Sequence, residues 1–413
     1  MRPRSLVAVA LFTVAGCAAA IPPTAAPPKV RAPSVQPDVA PPSFAVTGPS
    51  SSTGASGRAT AVGDLLTYRG GPDRTGQMPG PGPDGTPSIR WTFKAGAPIG
   101  SQVAVEGRLV YLISTDGTLH AVDLDTGKQR WSAPIGSKVQ GSPTIVDGLV
   151  VVGASDGAHA VSTGDGRVVW TQPKAGAVGG TPAIVGHTAV FASSDLGVTA
   201  LDTGTGAVLW HHSVTSQNDT SVATADGVAV VGFRDGFVLA LSLADGSERW
   251  RVDTGDGARV GTPTIADGRA YVVTLDGGGA GSRHLAALDL ATGRVLWRIA
   301  SPGDRPTYSP AVADGRAITE GEDGHITALD PVTGTVLWQA NAPGLVEVVP
   351  AVADGIVYGA SNGGFVFAVD AATGKEIWKL PILGVPYGAA VTSGLVLVGT
   401  DVGTLYAIGG SGS

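Results

Sequence analysis

The chain has 413 residues, of which 62 are glycine, 43% are hydrophobic and only 15% are charged. That apolar content excludes a disordered chain, and a formal net charge of −7 excludes the basic footprint of a nucleic-acid binder. Cys17 is the only cysteine, so no disulfide within the chain can hold the fold.

Arg2 and Arg4 precede the apolar run Leu6 to Gly16, which is too short to cross a bilayer as a stable helix. The run ends in Val14-Ala15-Gly16-Cys17, which resembles a bacterial lipobox. In such a motif small residues give a peptidase access to the backbone, and the following thiol carries the lipid. Residues 1–16 are therefore expected to be a lipoprotein signal peptide and Cys17 the acylated start of the mature chain. Several acyl chains suffice for stable anchoring. Ala18 stands where an Asp would favour inner-membrane retention. The expected location is extracytoplasmic: the outer membrane if the host has two membranes, otherwise the outer face of the cell membrane. Residues 17–63 form a Pro/Ala/Ser-rich tether without periodicity, containing Pro22-Pro23, Pro27-Pro28 and Pro41-Pro42. Such a segment is a semi-rigid spacer with a reach of roughly 100 Å.

From residue 64 onward one pattern repeats. The eight tryptophans, Trp91, Trp131, Trp170, Trp210, Trp250, Trp297, Trp338 and Trp378, are separated by 40, 39, 40, 40, 47, 41 and 40 residues. A period of this length marks a propeller or a solenoid. One unit reads as four short strands, A to D: Val349 to Ala353, Ile356 to Ala360, Phe365 to Asp370 and Lys375 to Lys379. Asp354-Gly355 joins A to B, and the same pair recurs at 147–148, 226–227, 267–268 and 314–315. Asp-Gly is the signature of a type I′ hairpin, which needs positive φ at both central residues. No run of 3.6-residue periodicity long enough for a helix occurs after the tether. The longest departure is Asp276 to Arg283, a Gly-rich B–C connection in the fifth unit that accounts for the 47-residue gap.

Between C and D the chain reads Asp-x-x-Thr-Gly, beginning at Asp123, Asp202, Asp289, Asp330 and Asp370, with a tryptophan four residues after each glycine. These carboxylates are expected to cap their own turns rather than to form a metal array. The repeat Leu/Val-x-Ala-Leu/Val-Asp-x-x-Thr-Gly-x-x-x-Trp resembles that of PQQ-type (quinoprotein) propellers. The lead-in Tyr68-Arg69-Gly70-Gly71-Pro72-Asp73-Arg74-Thr75-Gly76 also looks like theirs. The resemblance implies that each tryptophan docks between neighbouring blades. Seven full units run from Ser101 to Trp378. Ala389 to Thr392, Leu395 to Thr400 and Thr404 to Ile408 then supply A, B and C of an eighth, which lacks only D. Ser88 to Lys94, with Trp91, is a D strand without a blade. The expected fold is therefore all-β, an eight-bladed β-propeller of four-stranded antiparallel blades over residues 64–413, closed by an N-terminal outer strand that completes the last blade.

The resemblance points to three kinds of function. Quinone-dependent dehydrogenases of this type carry adjacent cysteines beside the cofactor and hold Ca²⁺ with Glu, Asn and Asp from inserted loops. Here the ring has no cysteine and no large insert, and neither a hard-cation cluster nor a Ser-His-Asp spacing is legible. The expectation is no enzyme, no metal and no cofactor. A lipid-anchored ring of this size also resembles the BamB family of outer-membrane assembly lipoproteins, which implies a non-catalytic, protein-binding, monomeric scaffold attached to the membrane through its lipid alone. The stretch His211 to Thr220 is short and polar where that family docks through leucine and arginine, so the specific assembly role stays open. The third reading is a propeller that binds a small ligand or polysaccharide. The candidate partner surface lies on the D–A connections into blades seven and eight, which are unusually apolar for loops: Leu345, Val346 and Val348, then Ile382, Leu383 and Val385. The alternative for these side chains is that they turn inward and plug the mouth of the channel.

Overall fold

The computed structural model describes residues 63–411 apart from 137, 140, 219, 256–258, 276–282, 301–308, 322 and 347–348. Cys17, the expected signal segment, nearly all of the expected tether, Val348 and the Gly-rich part of the long B–C connection lie outside the described residues.

Eight separate antiparallel sheets follow one another along the chain. Blade one is Ala104–Glu106, Leu109–Ser114, Thr118–Asp123 and Gln129–Pro134, hydrogen-bonded in that order. Six further blades repeat the A-B-C-D order, the last of them Ala351–Ala353, Ile356–Ser361, Phe365–Asp370 and Glu376–Pro381. Blade five gains an extra two-residue strand, Arg259–Val260, paired with its B strand. In blade eight Pro386–Thr392, Leu395–Thr400 and Thr404–Gly410 are joined by Pro87–Lys94 as the outer strand, so the two ends of the propeller chain share one sheet. The only helical turn among the described residues is the 3₁₀ turn Pro173–Ala175.

The strand pattern follows from where each strand sits. Strands B and C are buried on both faces, because a blade is sandwiched between two others, and they read as nearly continuous apolar runs such as Leu149–Ala154. Strand D is the outer edge and alternates, as in Val208–Ser213. Each apolar cluster of the core joins neighbouring blades, for example Val198 and Trp210 of blade three with Val231 and Leu239 of blade four. The A–B turns at Asp147, Asp226, Asp267, Asp314 and Asp354 all have φ between 47° and 50°, followed by a glycine at positive φ. That is the backbone a type I′ turn requires.

The tryptophans sit at the blade-to-blade joints. In all eight blades the tryptophan pairs with an alanine of strand C, as Trp210 does with Ala200, and a one-residue bulge follows at the preceding position. Trp210 Nε1 donates to Leu243 O of the next blade at 2.9 Å, and its ring lies against Gly246. The same bond, to the first residue of the next C–D turn, is made by Trp91, Trp131, Trp170, Trp250, Trp297 and Trp338. Trp378 precedes blade eight, which has no C–D turn because its outer strand comes from the other end of the chain. Two requirements meet at the turn glycine. At Gly206 φ is 71°, and an added Cβ would lie 2.8 Å from the Trp170 ring.

Candidate functional site

The A strands are innermost, and a single stretch of chain occupies their inner edge. Residues 63–81 run past all eight blades. Leu65 pairs with Val105 of blade one, and Leu66 O accepts from Ile145 N of blade two. Pro72 O accepts from Thr224 N of blade four, Asp73 O from Ile265 N of blade five and Thr75 O from Val312 N of blade six. Gly76 and Met78 bond Val352 of blade seven, and Gly80 bonds Val391 and Ser393 of blade eight. Blade three is reached by a side chain: Arg74 Nη2 donates to Pro182 O at 2.6 Å. The family-like lead-in is thus an inner belt that fills the mouth of the ring and links every blade to one segment. Its hairpin needs Gly70, where a Cβ would lie 1.8 Å from Gln77 O.

Arg69 and Arg74 point across the channel and are fully buried. Arg69 follows the contact with blade two yet donates through Nη2 to Ser309 O and Pro310 O of blade six, on the opposite side of the ring, at 2.9 and 2.6 Å. Arg74 bonds Val222 O, Thr67 Oγ1, Tyr68 O and Pro182 O. Burial lowers the pKa of both guanidiniums to about 10, so both stay charged at neutral pH. Beside them a row of hydroxyls joins blades two to five: Ser142 N donates to Thr181 Oγ1, Thr181 N to Ser221 Oγ and Ser221 N to Thr262 Oγ1. The sequence reading missed this row, although the recurring Gly-Ser/Thr-Pro at 141–143, 180–182 and 261–263 carries its signal.

The titratable groups elsewhere do not assemble a reaction centre. The five turn aspartates each accept from the Thr three residues on, as Asp202 does from Thr205 N at 2.8 Å and Thr205 Oγ1 at 2.7 Å. These bonds hold the carboxyl groups below their ordinary pKa. In blades two and four, where Ser162 and Ser242 open the turn, Asp165 and Asp245 three residues later take over the capping. One Ser-His-Asp cluster, not foreseen from spacing, does form in blade one: Ser114 Oγ lies 3.0 Å from His120 Nε2 and 2.6 Å from Asp116 Oδ1. Its order is wrong for acyl transfer, because the serine rather than the histidine lies in the middle, and Ser114 is inaccessible. His211 and His212 lie side by side in sequence on an outer strand, bonded to Thr199 and to Gly246 O. Among the described residues no three His, Cys, Asp or Glu side chains are grouped to hold a metal ion. With the lead-in lying along the inner strands and both arginines spanning the channel, these residues do not fit a quinone paired with a divalent cation.

The candidate partner residues divide. Val346 and Ile382 are buried in the core, Val385 is half-buried, and Leu345 and Leu383 are 51% and 77% exposed. Two of the six thus face into the core and two stand in solvent. Both loops are fixed by their backbones, Leu345 O accepting from Asn362 N and Leu383 N donating to Tyr406 Oη. Val402, in the B–C turn of blade eight, is also exposed and packs over Gly384 beside Leu383. It extends the apolar surface beyond the residues that loop composition disclosed. Of the other exposed apolar residues, Val169, Leu209, Leu337 and Ile377 are bulged positions before a tryptophan and Val168, Val208, Val295 and Val336 precede such positions on the outer strands, whereas Val185, Leu196, Val332 and Tyr387 lie elsewhere, Leu196 in the B–C turn of blade three.

A family model described as outer membrane protein assembly factor BamB matches residues 84–232 and 234–413. The chain is 34% identical over 191 residues to the outer membrane protein assembly factor BamB of Xanthomonas campestris pv. campestris, covering 43% of this chain and 47% of that protein. It thus spans about half the length of that curated relative. The crystal structure of BamB from Moraxella catarrhalis superposes with a TM-score of 0.66 at 19% identity, over 79% of this chain and 99% of that one. Quinohemoprotein alcohol dehydrogenase ADHIIG from Pseudomonas putida HK5 superposes with a TM-score of 0.70 at 13% identity, over 85% of this chain and 81% of that one. At these identities the two structures share the fold with this chain.

Proposed function

The chain belongs to the family described as outer membrane protein assembly factor BamB, and from that premise we propose that it is a non-catalytic scaffold of the cell envelope that binds protein partners in outer-membrane protein assembly. The observation that carries this reading is the pairing of a filled channel with an apolar outer face. The inner edge of the ring is taken up by the chain's own lead-in. Leu345, Leu383 and Val402 meanwhile stand in solvent on neighbouring blades, on the face shared by the D–A and B–C connections. Exposed apolar side chains held on rigid turns are what a protein partner recognises.

Leu383→Asp places a charge at the most exposed of these positions. It is expected to abolish partner capture from detergent-solubilised envelopes while leaving the melting temperature unchanged. Capture that survives the substitution moves the docking surface elsewhere on the ring. The tether and Cys17 complete the proposal, holding the ring off the membrane by a lipid anchor. Cys17→Ala is expected to release the protein into the soluble fraction, whereas retention on membranes after a high-salt wash places the anchor elsewhere. The dehydrogenase reading shares the fold of quinohemoprotein enzymes. A quinone absorbance band with dye-linked oxidation by the purified chain would replace the scaffold reading with it.

A further inference from the structure

Two arginines of the lead-in share a backbone conformation, a depth and a direction. Arg69 and Arg74 have φ of 60° and 62°, are 1% and 0% exposed, and reach across the same channel. They differ in how their donors are satisfied. Every nitrogen of the Arg74 guanidinium has an acceptor, drawn from Val222, Thr67, Tyr68 and Pro182. At Arg69 only Nη2 is bonded, to the two carbonyls of blade six, and Nε and Nη1 have no acceptor. Ser309 Oγ, on the residue whose carbonyl Nη2 holds, is also buried without a partner.

An arginine carries five N–H donors, and leaving them unpaired inside a protein costs far more than pairing them returns. The charge compounds the problem. The two guanidiniums lie close enough to repel each other, and although the Asp73 carboxylate is near enough to favour the charge of both, among the described residues neither forms an ion pair with a carboxylate. The channel thus encloses two cations, one solvated by peptide oxygens and one only partly so.

We propose that Arg69 is a binding site for a small anion inside the ring, the anion accepting from the Nε or Nη1 donors and the Ser309 hydroxyl. The ligand chemistry is a compact, singly or doubly charged acceptor: an inorganic anion such as chloride or phosphate, or the carboxylate of a small molecule. Because the site is enclosed by the lead-in, the anion is taken up with folding and stabilises the closed ring. This inference does not depend on the scaffold reading, which concerns the outer face.

The test is the melting temperature of the full chain, dialysed into gluconate and titrated at constant ionic strength with chloride, phosphate or acetate. A ligand that binds only the folded state raises the melting point saturably, here by on the order of 2–4 °C. A response to chloride or phosphate identifies an inorganic ion, and a response to acetate alone identifies a carboxylate ligand. In Arg69→Met the rise is expected to vanish. Equal melting in all the anions, or the same rise in Arg69→Met, overturns the proposal. Should that variant fail to fold, a wild-type crystal grown in the most effective anion, with bromide standing in for chloride, decides. Density for the anion within hydrogen-bond distance of Arg69 supports the site, and water alone at Nε and Nη1 overturns it.

Discussion

Seven of the eight joints of the ring are made by three side-chain positions: a tryptophan, the alanine paired with it across the blade, and a glycine of the next blade's turn. The alanine leaves room for the indole, the glycine lets the next turn approach its face, and the indole N–H satisfies a turn carbonyl. Trp210→Ala removes all of this at one joint and is expected to cost about 3–5 kcal/mol, read from urea unfolding. An unchanged midpoint would show that the ring is held by other contacts. Glu320 is the opposite case. It is buried in blade six beside Gly359 and Phe367, and neither carboxyl oxygen has a partner. Burial alone raises its pKa well above the ordinary value of 4.5. The folded chain therefore keeps this proton where the unfolded chain has lost it. The contribution of Glu320 to stability is complete below pH 4.5 and falls as pH rises through its folded value. Glu320→Gln keeps the shape without the proton, and is expected to match the wild type near pH 4 and to exceed it by at least about 1 kcal/mol at pH 8. Parallel pH profiles for the two proteins would remove Glu320 as the cause. The turn aspartates act in the other direction: their lowered pKa values give stability that is present at neutral pH and lost on acidification.

At the scale of elements, most of the fold was legible because it repeats. Tryptophan spacing gave the number of blades, and Asp-Gly pairs gave the A–B turns. The unpaired strand near Trp91 gave the closure. The C and D strands were placed to within about two residues, an ordinary error at element ends. The features that stayed hidden have no period or leave the period unchanged. A bulge adds one residue beside every tryptophan, and since all eight have it, the spacing stays regular. The inner belt occurs once, and its Gly-, Pro- and Asp-containing sequence reads as a loop until its bonds to the A strands are seen. The A strands are also shorter than their apolar runs, three residues in most blades, because the residues before them line the mouth where the belt and the row of hydroxyls lie. Closure makes a direct prediction. Deleting Pro87 to Ala95 removes the outer strand of blade eight and exposes the edge of Thr404–Gly410. The ring is expected to lose its single cooperative transition or to melt well below the wild type by calorimetry. A truncated chain that melts cooperatively at the wild-type temperature contradicts closure by this strand.

On the scale of the whole molecule, the ring carries the chain's own lead-in along its inner strands and its D strands at the outer edge. The candidate site was half legible from sequence. Apolar loop composition pointed to the connections into blades seven and eight, but it did not distinguish residues that face in from those that face out. Val346 and Ile382 turn into the core while their neighbours Leu345 and Leu383 remain in solvent, an alternation set by backbone bonds to Asn362 and Tyr406. Val402 belongs to the same surface through space alone. Partner binding on the proposed face is open to site-specific photo-cross-linking in intact cells. A photoreactive residue replaces Leu383, and another replaces His187, which is exposed on the opposite, A–B face. Adducts are expected from position 383 with a component of outer-membrane protein assembly, lost when Val402→Asp is added, and none from position 187. Adducts that arise from position 187 alone, or that persist at 383 with Val402→Asp, would contradict binding on the proposed face.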